Sequence, residues 1–315
     1  MIGFVIRRLL QAVLVVLGVI LIMFLLIHVI PGGEARAVLG PRAGRLQIHN
    51  FELQNGLLLP LWDQFFHYVG HLATFHLGRA PTYNEPVLTL IANRLPKTLL
   101  LVGISTVFAL IVAVPLGIFQ VVRRYKPEDY ILTGLSFVGY AAPAFFIGAL
   151  LISWFAIDLH IFSAEAPQGQ GILSILGDPR GLVLPVLTLA ALTIASFSRY
   201  MRSSMMETMT EDFIRTARAK GAQPRRVLYV HALRNAIIPV VTLLGLNLGY
   251  IVSGAVITES VFNYPGMGLL TVQAAFRLDV PTILGATYVI TVATVLGNLI
   301  ADILYAVVDP RIRYA

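Results

Sequence analysis

The chain has 315 residues, 57% of them hydrophobic and 12% charged, with a net charge of +7 and no cysteine. Soluble domains carry about 25% charged residues, so this chain cannot cover itself with a polar surface, and without Cys it has neither a disulfide framework nor thiol chemistry. The basic residues fall at the ends of apolar runs, which fits membrane topology better than a phosphate-binding face, so no nucleic-acid partner is expected.

Arg7 and Arg8 precede Leu9 to Ile30, 22 residues without Asp, Glu, Lys or Arg. A signal peptide has a shorter apolar core of about 7–15 residues. This run is long enough to span, at roughly 20 residues. An uncleaved first helix with its N-terminus inside is expected, despite the cleavage-like Ala35-Arg36-Ala37. Residues 31–96 carry five Arg against four acids and lack the basic bias of an inner loop. Within them, Leu61, Phe65, Tyr68 or Val69, and Leu72 share one helical face, and the aromatics suit a membrane interface. His67 and His71 stand at i, i+4, with His76 nearby. Interfacial packing is the expectation there, and no metal site is assigned.

The second span is expected from Thr98 to Val122, interrupted at Pro115-Leu-Gly117, and is followed by basic Arg123-Arg-Tyr-Lys126. The third runs from Ile131 to Ile157, with Gly139 to Pro143 loosening it. Asp158 to Arg180 is rich in Gly and Pro and reads as external. The fourth span covers Gly181 to Ser198.

From Arg199 to Arg234 eight Arg or Lys face three acids, which makes this the most basic stretch of the chain and an inner loop. Within it, Thr210 or Glu211 can cap a helix that carries Asp212 in its first turn and Arg215, Arg218 and Lys220 toward its end. Gly221 fits the position after the last turn, and Pro224 cannot continue the helix. Phe213, Ile214, Ala217 and Gly221 recur at three- and four-residue steps, giving a side that is apolar or small. The fifth span runs from Asn235 to Thr258, with Gly245, Gly249 and Gly254 allowing close helix approach. An external turn containing Pro265-Gly-Met-Gly268 follows. Val280 to Ala301 is the sixth span, with Asp302 near its inner end and Pro310 stopping it.

Arg215-Thr-Ala-Arg-Ala-Lys-Gly221 followed by Val227 to Pro239 resembles the cytoplasmic loop of ABC importer permeases, in the dipeptide, oligopeptide and nickel branch. Against the general Glu-Ala-Ala motif, Arg215 takes the Glu place, while His231 and Arg234 stand where Ile and Pro would be. The turn Ile257 to Gly268, the segment Arg94-Leu-Pro-Lys-Thr-Leu and the C-terminal tail are similar to the same branch. The resemblance implies an all-α, type I importer permease of about six membrane helices, both termini cytoplasmic, in the cell inner membrane. It divides the chain into a first helix (1–30), an external region with an interfacial segment (31–96), a five-span core with its coupling loop at 199–236 (97–309), and a tail (310–315).

The same resemblance implies partners: a homologous second permease, two ATPase subunits and an external substrate-binding protein. Asp212, Phe213, Arg215, Thr216, Ala217, Arg218, Lys220 and Gly221 would meet an ATPase. Phe262, Asn263, Pro265, Gly266 and Gly268 would lie near the binding protein. Polar groups at membrane depth that could line a pathway are Ser136, Ser153, Thr193, Asn247, Ser253, Thr291 and Asn298, each of which can equally bond a neighbouring helix. None of Lys97, Lys126 and Lys220 follows a Gly, so no G-x-x-x-x-G-K-[ST] loop is present. The chain is therefore expected to be no enzyme and to bind no cofactor, with ATP and Mg²⁺ held by partners. Peptides are the expected cargo; nickel, glutathione and haem are the alternatives. An ion-coupled secondary transporter or channel is the rival class, although no charged residue sits mid-span and Asp302 is near an inner end.

Overall fold

A computed structural model describes residues 2–29, 33–40 and 43–308; the side chains of residues 2–5, 34, 37, 242, 245–254, 301 and 303–308 lie outside this description. The fold is helical apart from one two-stranded hairpin. Helix α1 is Ile2–Val29. The short helices α2 (Gly33–Leu39), α3 (Arg45–Gln54) and α4 (Leu61–Ala73) follow. Strands β1 (Arg79–Ala80) and β2 (Glu85–Pro86) pair antiparallel and lead into α5 (Val87–Val122). Then come α6 (Pro127–Ala141), α7 (Ala144–Leu151) with a π-helical continuation Ile152–Asp158, α8 (Ile172–Leu176) and α9 (Pro179–Thr208). The inner loop forms α10 (Asp212–Ala219), α11 (Pro224–Arg226), a π turn Val227–Ala232 and α12 (Leu233–Ala236). The chain continues through α13 (Ile238–Val261), α14 (Met267–Phe276) and α15 (Val280–Val308).

Among the described residues, α1, α5, α9 and α15 are each long and apolar enough to cross a membrane. The pair α6 and α7 makes a fifth, broken candidate, bent by 108° at the Ala142-Pro143 break. Helix α13, of 24 residues, covers most of the expected fifth span, Asn235 to Thr258. The residues meant to loosen span three thus produce a sharp bend.

The spans are longer than hydropathy alone suggests. Helix α5 starts at Val87, eleven residues before Thr98, and passes through Pro96 and Pro115 without a break. The expected interruption at Pro115 is therefore absent, and the division drawn at residue 96/97 falls inside a helix. A buried stripe explains the continuity: Val87, Leu90, Ile91, Thr98, Leu101, Val102, Ser105, Ala109 and Ala113 recur at helical spacing. Gly117 belongs to the same packing, because a Cβ there would come 2.7 Å from Met201 Cβ and 2.8 Å from the Ser198 carbonyl. Tertiary contact outweighs the local cost of Pro and Gly when neighbours cover the freed backbone groups. Helix α9 likewise continues past Ser198, burying Met201, Ser204, Met205 and Thr208.

Three apolar clusters hold the bundle. An inner one joins Ile118, Phe197, Met201, Met205, Ile214, Val227 and Val240. An outer one joins Leu101, Leu184, Phe262 and Tyr264. A peripheral one packs α1, α4 and the hairpin on α14 and α15 through Met23, Leu72, Leu77, Leu270 and Tyr288. In α4 the inward face is Phe65, Tyr68, Val69 and Leu72, while Leu61, expected on that face, is exposed with Trp62 and Phe66. At the far end of the periphery, Arg8 of α1 pairs with Asp302 of α15 at 3.2 Å. The terminal tail 309–315, with Pro310, lies outside the described residues.

Candidate functional site: an inner docking helix and an outer joint

The inner site starts with local sequence. Glu211 occupies the position before α10 in extended geometry, but its side chain makes no capping bond. The Thr210 hydroxyl instead donates back to the Glu207 carbonyl at 2.7 Å, so neither expected cap forms. The C-terminal end is well specified. Gly221 takes φ +79°, its N–H reaches the Arg218 carbonyl at 2.9 Å, and the Ala222 N–H reaches Ala217 at 3.1 Å. Those two bonds form the paired closure that a left-handed glycine allows. Asp212 in the first turn and Arg218 in the last complement the helix dipole.

One side chain, Ile214, anchors α10; it is fully buried in the inner cluster. The apolar side expected of Phe213, Ile214, Ala217 and Gly221 therefore divides. Ile214 points in, Ala217 is half-buried, and Phe213 and Gly221 face out, with Phe213 42% exposed. Phe213 and Ala217 are one turn apart, and Lys220 extends their outward stripe. Arg215, Thr216 and Arg218 are exposed as well. The Arg215–Asp212 pair at 3.3 Å is open to solvent, with side chains 74% and 94% exposed, so it fixes little.

A pair that sequence reasoning missed ties α9 to α6. Arg202 of α9 donates from Nε and Nη2 to the two Asp129 carboxylate oxygens of α6, both at 2.9 Å. The guanidinium holds the Asp129 carboxyl below the usual carboxylate range, against the opposing effect of burial. Acids directly after a basic run that cap a new helix, as in Lys126-Pro-Glu-Asp129, are the signal that could have found it.

The outer site is the turn between α13 and α14. Glu259 is fully buried. Its Oε1 accepts the Thr98 hydroxyl at 2.6 Å, and Oε2 accepts the N–H groups of Gly268 at 2.7 Å and Leu269 at 3.1 Å. The Met267 N–H bonds the Thr98 oxygen at 2.8 Å. One carboxylate thus closes the N-terminus of α14, where negative charge is favoured, and ties it to α5. A Cβ on Gly268 would run into the Val256 backbone, and one on Gly266 into the Glu259 carboxylate. Around this joint, Tyr264 donates to the Lys97 carbonyl at 2.7 Å and Lys97 Nζ donates to the Gly169 carbonyl at 3.0 Å. Burial pushes the Tyr264 phenol up, and the Glu259 charge adds to it. The Phe262 carbonyl accepts from Ala166 N at 2.9 Å, and Asn263 accepts from Gln168 at 2.8 Å. Of the five turn residues singled out in the sequence, Phe262, Pro265, Gly266 and Gly268 are buried and Asn263 is exposed.

Of the suggested pathway residues, five have described side chains. Ser136, Thr193 and Thr291 donate to carbonyls one turn back in their own helices, at 2.9, 3.3 and 2.8 Å. Ser136 also sits 3.4 Å from Ser198. Ser153 is half-buried in the π-helical stretch and Asn298 is exposed on α15. The Asn247 and Ser253 side chains, and glycines 245, 249 and 254, lie outside the described set. His67, His71 and His76 are exposed, with the last two rings 6.3 Å apart. Among the described residues no three His or acids come together as a metal site. Asp302, near the inner end of α15, is engaged by Arg8.

Comparison with known proteins places this architecture. Residues 106–314 match the model of the binding-protein-dependent transport system inner membrane component, and residues 1–102 match the N-terminal model of such components. The chain is 37% identical over 316 residues to the oligopeptide transport system permease protein AppB of Bacillus subtilis, covering 100% of both chains. It is also 37% identical, over 314 residues and 100% of both chains, to the glutathione transport system permease protein GsiC of Escherichia coli. Its fold is similar to a chain of the MetNI methionine ABC transporter in inward-facing form, with TM-score 0.57 and 17% identity over 71% of this chain and 99% of the other. Membership implies ATPase and substrate-binding partners. This multi-pass membrane chain belongs to the family of binding-protein-dependent transport system inner membrane components.

Proposed function

We propose that the chain forms half of the pathway of an ATP-driven importer for di- and oligopeptides and receives its driving motion through α10. The observation that carries this reading is the form of that helix. One buried residue, Ile214, and a closed glycine terminus hold it, while Phe213, Ala217, Arg215, Arg218 and Lys220 are left for another surface. A short rigid helix seated in a groove of an ATPase carries rigid-body motion into the spans on either side, α9 and α13. Phe213 would fill an apolar recess, and the three cations would set register against acids. ATP and Mg²⁺ reside on two ATPase subunits, and this chain binds neither.

A second, homologous permease supplies the other half of the pathway. The external binding protein approaches the face around Asn263, beneath which Phe262, Pro265, Gly266 and Gly268 form the support. Relatives named for oligopeptides and for glutathione support a peptide-like cargo. The test is Phe213→Glu. The variant should insert and melt like the parent, yet lose ATPase copurification and ATP-dependent peptide uptake. Unchanged copurification and uptake would remove α10 from the coupling path.

A further inference from the structure

The region with no part in the reading above is the cavity under α4. It measures about 970 Å³ and lies between the outer end of α1 (Phe24, Ile27), helices α3 and α4, the hairpin, Leu88 of α5 and Leu284 of α15. Its size is that of a ligand pocket, about 300–1,000 Å³. The walls are mainly apolar. Among the described residues, their charged and titratable members are Arg79, Tyr68 and the three histidines, His67, His71 and His76, and no Asp or Glu lines the space. Arg79 spends one nitrogen on the Asn84 carbonyl at 3.1 Å, which leaves further N–H groups of its five donors.

Two facts select the occupant. The lining favours an amphiphile with an apolar tail and an anionic head. The surroundings favour lipid. On its far side α4 exposes Trp62 (77%) and Phe66 (68%), the residue types that sit at a membrane interface, and α1 exposes Leu25 and Leu26 beside the cavity-lining Phe24 and Ile27. The cavity therefore opens where phospholipid is the most concentrated amphiphile. We propose that it binds one anionic phospholipid, an acyl chain lying between α1, α4 and α15 and the phosphate held by Arg79 with His71 and His76. This site is independent of transport; the bound lipid would stitch the peripheral helices α1 and α4 to the core.

The test uses the full chain in phosphatidylcholine nanodiscs carrying a trace of phosphatidylglycerol with a photoreactive acyl chain. Illumination and peptide mapping should place the label on residues 61–88 and 280–288. Unlabelled phosphatidylglycerol should compete about fivefold better than phosphatidylcholine, the effect of roughly one interfacial cation. Leu88→Trp, at an exposed wall position, should remove this label and spare that on the outer face of α1. Arg79→Gln should keep the label and abolish the preference for the anionic lipid. Label spread evenly over all lipid-facing helices and unaffected by Leu88→Trp would overturn the proposal. So would displacement by an oligopeptide but not by phosphatidylglycerol.

Discussion

The inner helix and the outer turn are stretches of similar length built on opposite plans. Residues 212–221 bury one side chain completely and take their rigidity from backbone closure at Gly221. Residues 259–268 bury most of theirs and take rigidity from side chains, with Glu259 satisfying the backbone of α14 and the hydroxyl of α5. The first arrangement leaves surface free for a partner. The second uses its polar groups internally and behaves as a joint between three helices. Substitutions should therefore cost stability at the outer turn and function at the inner helix.

Gly268→Val should have the largest effect. Its side chain would occupy the space of the Val256 backbone and the Glu259 carboxylate, so folded protein should fail to accumulate in the membrane fraction. Normal yield and a single gel-filtration peak would break the contrast. Next is Glu259→Leu, which orphans the Thr98 hydroxyl and two N–H groups. The expected loss is about 3 kcal/mol or more in denaturant unfolding, because buried unpaired donors cost about 1–3 kcal/mol each. Glu259→Gln should recover part of it, since an amide oxygen still accepts.

Asp129→Asn in α6 should cost about 2 kcal/mol at neutral pH, the scale of hydrogen bonds to charged groups. Its pH dependence has a definite sign. The folded carboxyl titrates lower than the unfolded one, near 3.9. The Asp129–Arg202 contribution is thus complete above that value and lost as pH falls through the folded one. The parent melting temperature should fall below about pH 4 more steeply than that of Asp129→Asn. An equal slope would mean that the bridge does not stabilise the fold. Smallest of all is Gly221→Ala. Nothing lies within 4 Å of a Cβ there, so only the φ of +79° is strained, at roughly 1 kcal/mol. Its contrast with Gly268 separates a glycine needed for conformation from one needed for space.

The all-helical membrane class, the break in the third span and the short helix α10 were all readable along the chain. Basic runs mark inner loops, Ala142-Pro143 cannot sit quietly in a helix, and Gly221 stands where a left-handed residue closes α10. These are local properties, set by backbone sterics and by the cost of burying charge in lipid. The true helix lengths, the inward turn of Ile214 and outward turn of Phe213, the Arg202–Asp129 brace and the role of Glu259 were decided by packing. Thr98 and Glu259 lie 161 residues apart, and no periodicity in either segment reveals that one donates to the other. A buried carboxylate near a span end reads as a liability until the three donors that surround it are brought together, and only the folded bundle does that.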